Sequence, residues 1–209
     1  MLRVDHVLRA VRNLDEAARL LLDEHGLASV PGGRHLGWGT ANRIVPLGDD
    51  YLELIAVVDE REAATAPLGR WAAAAAADGD RWAGWVARTD ELDGLAADRG
   101  LEVVEGARLR PDGTVLRWRM AGLDRALADP LLPFFIEWLV PERDRPGRAL
   151  VHHPAGPRGL SRLELSGDEP RLRAWLGAAD LPVSVAQGVP GVRAVVLASA
   201  AGELVLQDD

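Results

Sequence analysis

Residues 4–11, VDHVLRAV, followed at once by residues 13–26, NLDEAARLLLDEHG, decide how this chain is read. The first stretch alternates as a half-buried strand does. In the second, Asn13 is a candidate N-cap, and apolar Leu14, Ala17, Ala18, Leu21 and Leu22 recur at helical spacing until Gly26 stops the run. Three further extended pieces come next: 28–33 (ASVPGG), 38–47 (WGTANRIVPL) and 51–58 (YLELIAVV), the last two separated by a GDD turn. The local order is strand, helix, three strands.

Working outward, the same order returns after an alanine-rich connector at 70–80, RWAAAAAADGD, whose run from Ala72 to Ala77 predicts a connecting helix. WAGWVART (82–89) predicts a strand and ELDGLAADRGL (91–101) a short helix ending at Gly100. EVVEGARLR, TVLRWRM and PFFIEWLV supply three more strands, the first two flanking a PDG turn. Matching NLDEAA…HGL with ELDGLAA…RGL places Gly84 where His6 stands and Glu137 where Glu53 stands. A third, shorter round follows the long loop 141–159: LSRLELSG, then EPRLRAWLGAA with Pro170 in its first turn, then PVSVAQG, VRAVVLA and GELVLQ. It places Arg162 at the His6 position and Glu203 near the Glu53 position.

Composition removes several kinds of chemistry. The chain has 209 residues, 48% of them hydrophobic, a net charge of −8 and no cysteine. All 24 basic residues are arginine. Thiol nucleophiles, disulfides and cysteine-bound zinc are excluded, as are a Schiff-base lysine and a P-loop lysine. The arginines are scattered along the sequence rather than arranged as a basic stripe, so no nucleic-acid partner is expected. No apolar run approaches the ~20 residues of a membrane span, and the N-terminal residues lack the layout of a secretory signal. A cytoplasmic location is the expectation.

With this order in view, GGRHLGWGTANRIVPLGDDYLELIAV (32–57), LPFFIEWLVP (132–141) and HHPAGPRGLSRLELSG (152–167) resemble segments of the glyoxalase-like domain of the vicinal-oxygen-chelate superfamily. The resemblance runs from Val4 to about Trp175. It implies an α+β fold of repeated βαβββ modules, forming curved mixed or antiparallel sheets around a cupped pocket. The chain is then one unit, 1–209, with internal modules near 1–60, 81–140 and 159–207. It also implies a divalent metal held by residues of the first and last strands of two modules, which chelates neighbouring oxygens of a substrate.

Carried onto this sequence, the resemblance makes His6, Glu53 and Glu137 the candidate metal ligands, with Glu53 and Glu137 also candidates for general base. Gly84 cannot supply the fourth. A glutamate inside an apolar strand is costly unless paired or metal-bound. For Glu137 the competing partner is one of the many arginines. One histidine with two carboxylates departs from the set of non-haem iron oxygenases, which lowers ring cleavage in rank. His35, in a glycine-rich turn, Asn42, Trp38 and Trp138 are candidates for the pocket wall. His152 and His153 lie in the long loop, where adjacent side chains point apart. Two readings stand: a divalent-metal-dependent lyase or isomerase acting on a small oxygen-rich molecule, or a metal-free protein that binds or sequesters one. A homodimer is compatible with either.

Overall fold

The computed structural model describes residues 1–208. The first round forms β1 (Arg3–Ala10), α1 (Leu14–His25), β2 (Val30–His35), β3 (Thr40–Pro46) and β4 (Tyr51–Val57). The Asn13 side chain accepts hydrogen bonds from the backbone N–H groups of Asp15 and Glu16, which fixes the start of α1. Two connecting helices, α2 (Glu60–Ala63) and α3 (Pro67–Ala75), lead to the second round: β5 (Arg81–Arg88), α4 (Leu92–Arg99), β6 (Val103–Leu109), β7 (Val115–Ala121), α5 (Leu123–Ala128) and β8 (Phe134–Trp138). The eight strands close into one barrel in the order β1-β4-β3-β2-β6-β7-β8-β5. In each half, the first strand lies parallel to the last and every other pairing is antiparallel. The halves join along β1 with β5, and along a short seam of two residue pairs, Arg34 with Leu109 and His35 with Arg108.

Period-two alternation sorts side chains between the barrel's interior and its outer face. On β4, Tyr51, Glu53 and Ile55 line the interior, while Leu52, Leu54 and Ala56 join the outer core under the helices. On β8, Phe134, Ile136 and Trp138 line the interior and Phe135 packs outside. Glu137 therefore belongs to the outer side.

The third round forms β9 (Pro157–Ser166), α6 (Glu169–Leu176), β10 (Val183–Ala186), β11 (Gly191–Ser199) and β12 (Gly202–Gln207). Its element order matches the other two but its pairing does not. The sheet runs β10-β9-β11-β12, so its first strand sits in the middle beside the second and third strands. In the barrel the first strand adjoins the last. The expected equivalence of Arg162 with His6 and Glu203 with Glu53 fails for this reason. Arg162 instead ion-pairs with Glu203 and Glu164 on the sheet's wet face. The opposite face, with Leu163, Leu165, Val195, Leu197 and Leu206, packs into the same core as Trp85 and Phe135 of the barrel's outside.

His153 belongs to the scaffold. Its Nδ1 accepts from the Ala28 N–H at 3.1 Å and its Nε2 donates to the Pro46 carbonyl at 2.7 Å, which straps the long loop to the segment before β2 and to the end of β3. Among the described residues, no helix is long and apolar enough to cross a membrane.

Candidate functional site in the barrel

The barrel interior is a cup with apolar walls and a polar floor. Leu8, Ile55, Met120, Phe134 and Ile136 come from the strands, and Leu68 and Leu123 from the first turns of α3 and α5. Trp38, Trp118 and Trp138 form a run of edge-to-face contacts, with centroids 6.0 Å and 5.7 Å apart. The enclosed space is about 30 Å³, room for one water-sized group.

On the floor, Glu53 stands between two imidazoles. Its Oε2 is 3.5 Å from His6 Nε2 and its Oε1 is 3.7 Å from His35 Nε2. All three side chains are buried. His6 Nδ1 lies 2.8 Å from Asp5 Oδ2, and Tyr51 stacks on the His6 ring at 4.4 Å. With Nδ1 on Asp5, the other ring nitrogen, Nε2, is turned toward Glu53. His35 Nδ1 bonds Thr40 Oγ1 at 2.9 Å, and Asn42 Nδ2 lies 3.5 Å from Nε2. Burial, reinforced by the nearby Arg108 and His6 charges and opposed by Glu53, pulls His35 down to about 4. It is a neutral imidazole at physiological pH. Burial also pushes the Tyr51 phenol well above its usual value, with Asp5 and Glu53 adding to the effect.

Two buried residues complete the floor, and strand periodicity gave no sign of either. The first is Asp5, which accepts from Trp138 Nε1 at 3.1 Å and lies 3.5 Å from Arg88 Nη1. Neighbours in a strand ordinarily face opposite sides. Here the β1–β5 register slips between Val4 and His6, and this bulge brings Asp5 against its neighbour's ring. The second is Arg108, on the seam. Burial pulls its guanidinium below its usual value, with nearby Tyr51 and Glu53 opposing the shift.

Of the residues singled out from sequence, His6, Glu53, His35, Trp38 and Trp138 line the cup. Asn42 is buried behind His35. Glu137 is elsewhere: on the outer side of β8 it accepts a 2.7 Å bond from Arg119 Nε, and Arg119 also pairs with Asp93 at the start of α4. The register explains the misplacement. Leu8 pairs with Glu53, and its counterpart Val86 pairs with Phe134, because α5 lengthens the second half ahead of β8. The counterpart of Glu53 is therefore Phe134. A metal held jointly by His6, Glu53 and Glu137 does not fit this arrangement. The second half of the cup offers Gly84 and Phe134 where ligands would stand, and the Arg108 cation shares the floor. Among the described residues, no three His, Asp or Glu side chains gather in a geometry that would hold an ion.

Residues 4–180 match the profile of the glyoxalase-like domain family. The chain belongs to that family, and with it to the vicinal-oxygen-chelate superfamily. Among solved structures, the whole chain superposes on 87% of a hypothetical protein from Staphylococcus aureus, with a TM-score of 0.66 at 16% identity. A variant of Streptomyces coelicolor methylmalonyl-CoA epimerase bound to 2-nitronate-propionyl-CoA aligns over 66% of this chain and 98% of its own, with a TM-score of 0.48 at 19% identity. The Mycobacterium tuberculosis methylmalonyl-CoA epimerase aligns over 64% and 85%, with a TM-score of 0.43 at 22% identity. No curated protein matches the chain.

Proposed function

We propose that the cup receives the oxygen-bearing end of a small, largely apolar molecule, and that Glu53 exchanges a proton with carbon next to a carbonyl there, as an isomerase or lyase does. The observation that carries this reading is the Glu53 carboxylate, buried between two imidazoles at the bottom of an aromatic cup. A carboxylate can serve as general base where its oxygens reach the reacting carbon, and this one lines the floor of the cup, where a reacting atom would enter.

The ligand's shape follows from the cavity. One water-sized group fits the floor, which suits a carbonyl or carboxylate oxygen. Trp38, Leu68, Met120 and Leu123 also border an adjoining groove of about 550 Å³, lined further by Leu101, Val104 and Gly122, with Glu102, Glu105, Asp124 and Arg125 as its charged walls. The apolar body of the ligand lies in that groove. In the proposed step Glu53 takes a proton from the carbon, the C–H electrons form a carbon–carbon double bond, and the carbonyl oxygen becomes an enolate beside Arg108. Return of a proton from the His6–Glu53 pair gives the isomer. Arg108 supplies the positive charge at the oxygen.

Proton exchange tests the reading without knowledge of the substrate. Aryl-substituted 2-oxo acids incubated with the protein in deuterated buffer should gain deuterium at the carbon next to the carbonyl, followed by NMR. Glu53→Gln should abolish that gain and leave binding, read by tryptophan fluorescence, within a few-fold of wild type. Trp118→Ala should weaken binding itself by up to about tenfold, given the ~0.5–1.5 kcal/mol such an aromatic contact contributes. Binding with no exchange at any pH between 6 and 9 would leave the sequestering reading and remove the catalytic one.

A further inference from the structure

We infer that the barrel carries a second site, an arginine-lined cleft that binds phosphate. It lies on the other side of Arg108 from the cup and has a volume of about 360 Å³. Its walls are residues 30–32 at the start of β2, the β6–β7 turn and the loop at 143–149. Arg108, Arg110, Arg143, Arg145 and Arg148 face it, against the carboxylates of Asp112 and Asp144 alone. That concentration of cations is notable in a chain of net charge −8.

Three observations mark the cleft as built to receive an anion. The first is Arg108 itself. It is 4% exposed, its Nε has no hydrogen-bond partner, and it forms no ion pair among the described residues. Glu53 acts on it only through space, so a buried guanidinium in that state is costly unless a further anion joins it directly. The second is Arg145, whose Nε is likewise buried and unpartnered while its far end reaches Asp90 at 3.7 Å. The third is the backbone that makes room for them. A Cβ on Gly32 would stand 2.1 Å from Asn42 Oδ1 and 3.0 Å from Arg108 Nη1, and one on Gly33, at φ 136°, would stand 2.1 Å from the Leu109 carbonyl. Only glycine at both positions lets β2 meet β6 with the guanidinium between them.

The other walls sort by how fully they are already paired. Asp112 is held by the N–H and hydroxyl of Thr114, and Arg148 is neutralised by Asp49 and Glu142. Arg110 Nη2 donates to the Asp144 carbonyl at 2.5 Å, a neutral acceptor, and Asp112 acts on its charge only through space. Arg108, Arg110 and Arg145 are therefore the cradle. Their forked donors suit the several oxygens of a phosphoryl group, and the concave shape suits a small molecule over a polymer.

The cleft shares Arg108 with the floor of the cup but needs none of the cup's proton-transfer step, and its test uses residues that do not touch the cup. Titration calorimetry of the full chain with inorganic phosphate, pyrophosphate and phenyl phosphate, at ionic strength matched with chloride, reads it directly. Pyrophosphate should bind, weaken as salt rises, and lose at least about tenfold in affinity in Arg145→Gln and in Arg110→Gln. Arg19→Gln, on the exposed face of α1, should leave binding unchanged. Circular dichroism confirms that each variant is folded, and Arg145→Lys, which keeps the charge without the fork, should lie between wild type and Gln. Phenyl phosphate binding more tightly than inorganic phosphate identifies an organic phosphate ester as the ligand; equal affinity identifies free phosphate. Heat no larger than that of chloride, equal affinity in the Arg110 and Arg145 variants, or binding of a DNA oligonucleotide that pyrophosphate cannot displace would overturn the proposal.

Discussion

His35 shows how a single buried residue ties the floor of the cup to solution pH. Its folded value of about 4 lies below the model-peptide value of 6.5. Between those two pH values the unfolded chain binds a proton that the folded chain refuses, so stability is full above pH 6.5 and falls as pH drops toward 4. For a fully buried imidazole the loss is on the order of 3 kcal/mol. The expected outcome is a His35 ring resonance that stays neutral down to about pH 4, followed by NMR, and a urea midpoint that falls over the same window. A His35 that titrates near 6.5 would mean that the floor is open to water. The residues nearest this one show what a sequence can and cannot disclose. Glu53 was legible because a carboxylate inside an apolar strand demands a partner, and His6 because it stands where the resemblance puts a first-strand ligand; His35, read as part of a glycine-rich turn, is the buried last residue of β2. Asp5 was not, since strict alternation assigns it to the face opposite His6, and only a bulge, which leaves no sequence mark here, moves it. Arg108 was hidden among 24 arginines, with nothing local to separate a buried one from a solvated one.

At the scale of elements, the β3–β4 turn is where the barrel grips the second sheet. Asp50 in that turn accepts hydrogen bonds from the Leu160 N–H of β9, at 3.2 Å to each oxygen. Burial raises its carboxyl to about 6, against an opposing pull from the Leu160 N–H and Arg88. The sign is opposite to that of His35. From about pH 4 to 6 the folded state holds a proton that the unfolded state has lost, so this residue makes the protein less stable as pH rises through that window. Asp50→Asn keeps an acceptor for Leu160 and removes the ionisation. The difference in unfolding free energy, variant minus wild type, should grow from pH 4 to pH 7 and reach on the order of 2 kcal/mol. A difference independent of pH would show that Asp50 ionises freely. Elements also account for the misplaced Glu137. The strand–helix–strand order of both halves was readable from periodicity, but register was not. The sequence 122–129, GLDRALAD, carries no strong cap or periodic signal, yet it folds as α5 and moves β8 along its partner until Phe134 stands opposite Val86. One helical insertion was enough to send a carboxylate to the outer face.

For the molecule as a whole, the question is whether the barrel and the second sheet are one folding unit. The third round repeats the order of elements but pairs them differently, so it adds no third ligand-bearing strand to a cup. Its contribution is a lid on the barrel's outside. Leu163, Leu165, Val195 and Leu197 of the second sheet, all at 1% exposure or less, share one apolar cluster with Trp85, Phe135 and Leu131 of the barrel. Trp85 Nε1 donates to the Leu131 carbonyl at 3.0 Å inside that cluster, and Trp175 of α6 stacks on Phe135 at 5.5 Å and donates to the Pro133 carbonyl. Residues of the second sheet thus cover the strand that carries Phe134 and Trp138 into the cup. If that shared core couples the two sheets, a cavity made on one side must loosen both. Leu163→Ala should cost about 2–5 kcal/mol, the usual range for a buried leucine, although it lies outside the barrel. Near-ultraviolet circular dichroism, dominated by the barrel tryptophans, and far-ultraviolet signal from both sheets should then move together in one transition at a lower midpoint. Two transitions, with the tryptophan signal unchanged, would separate the sheets into independent domains and leave the cup's shape to the barrel alone.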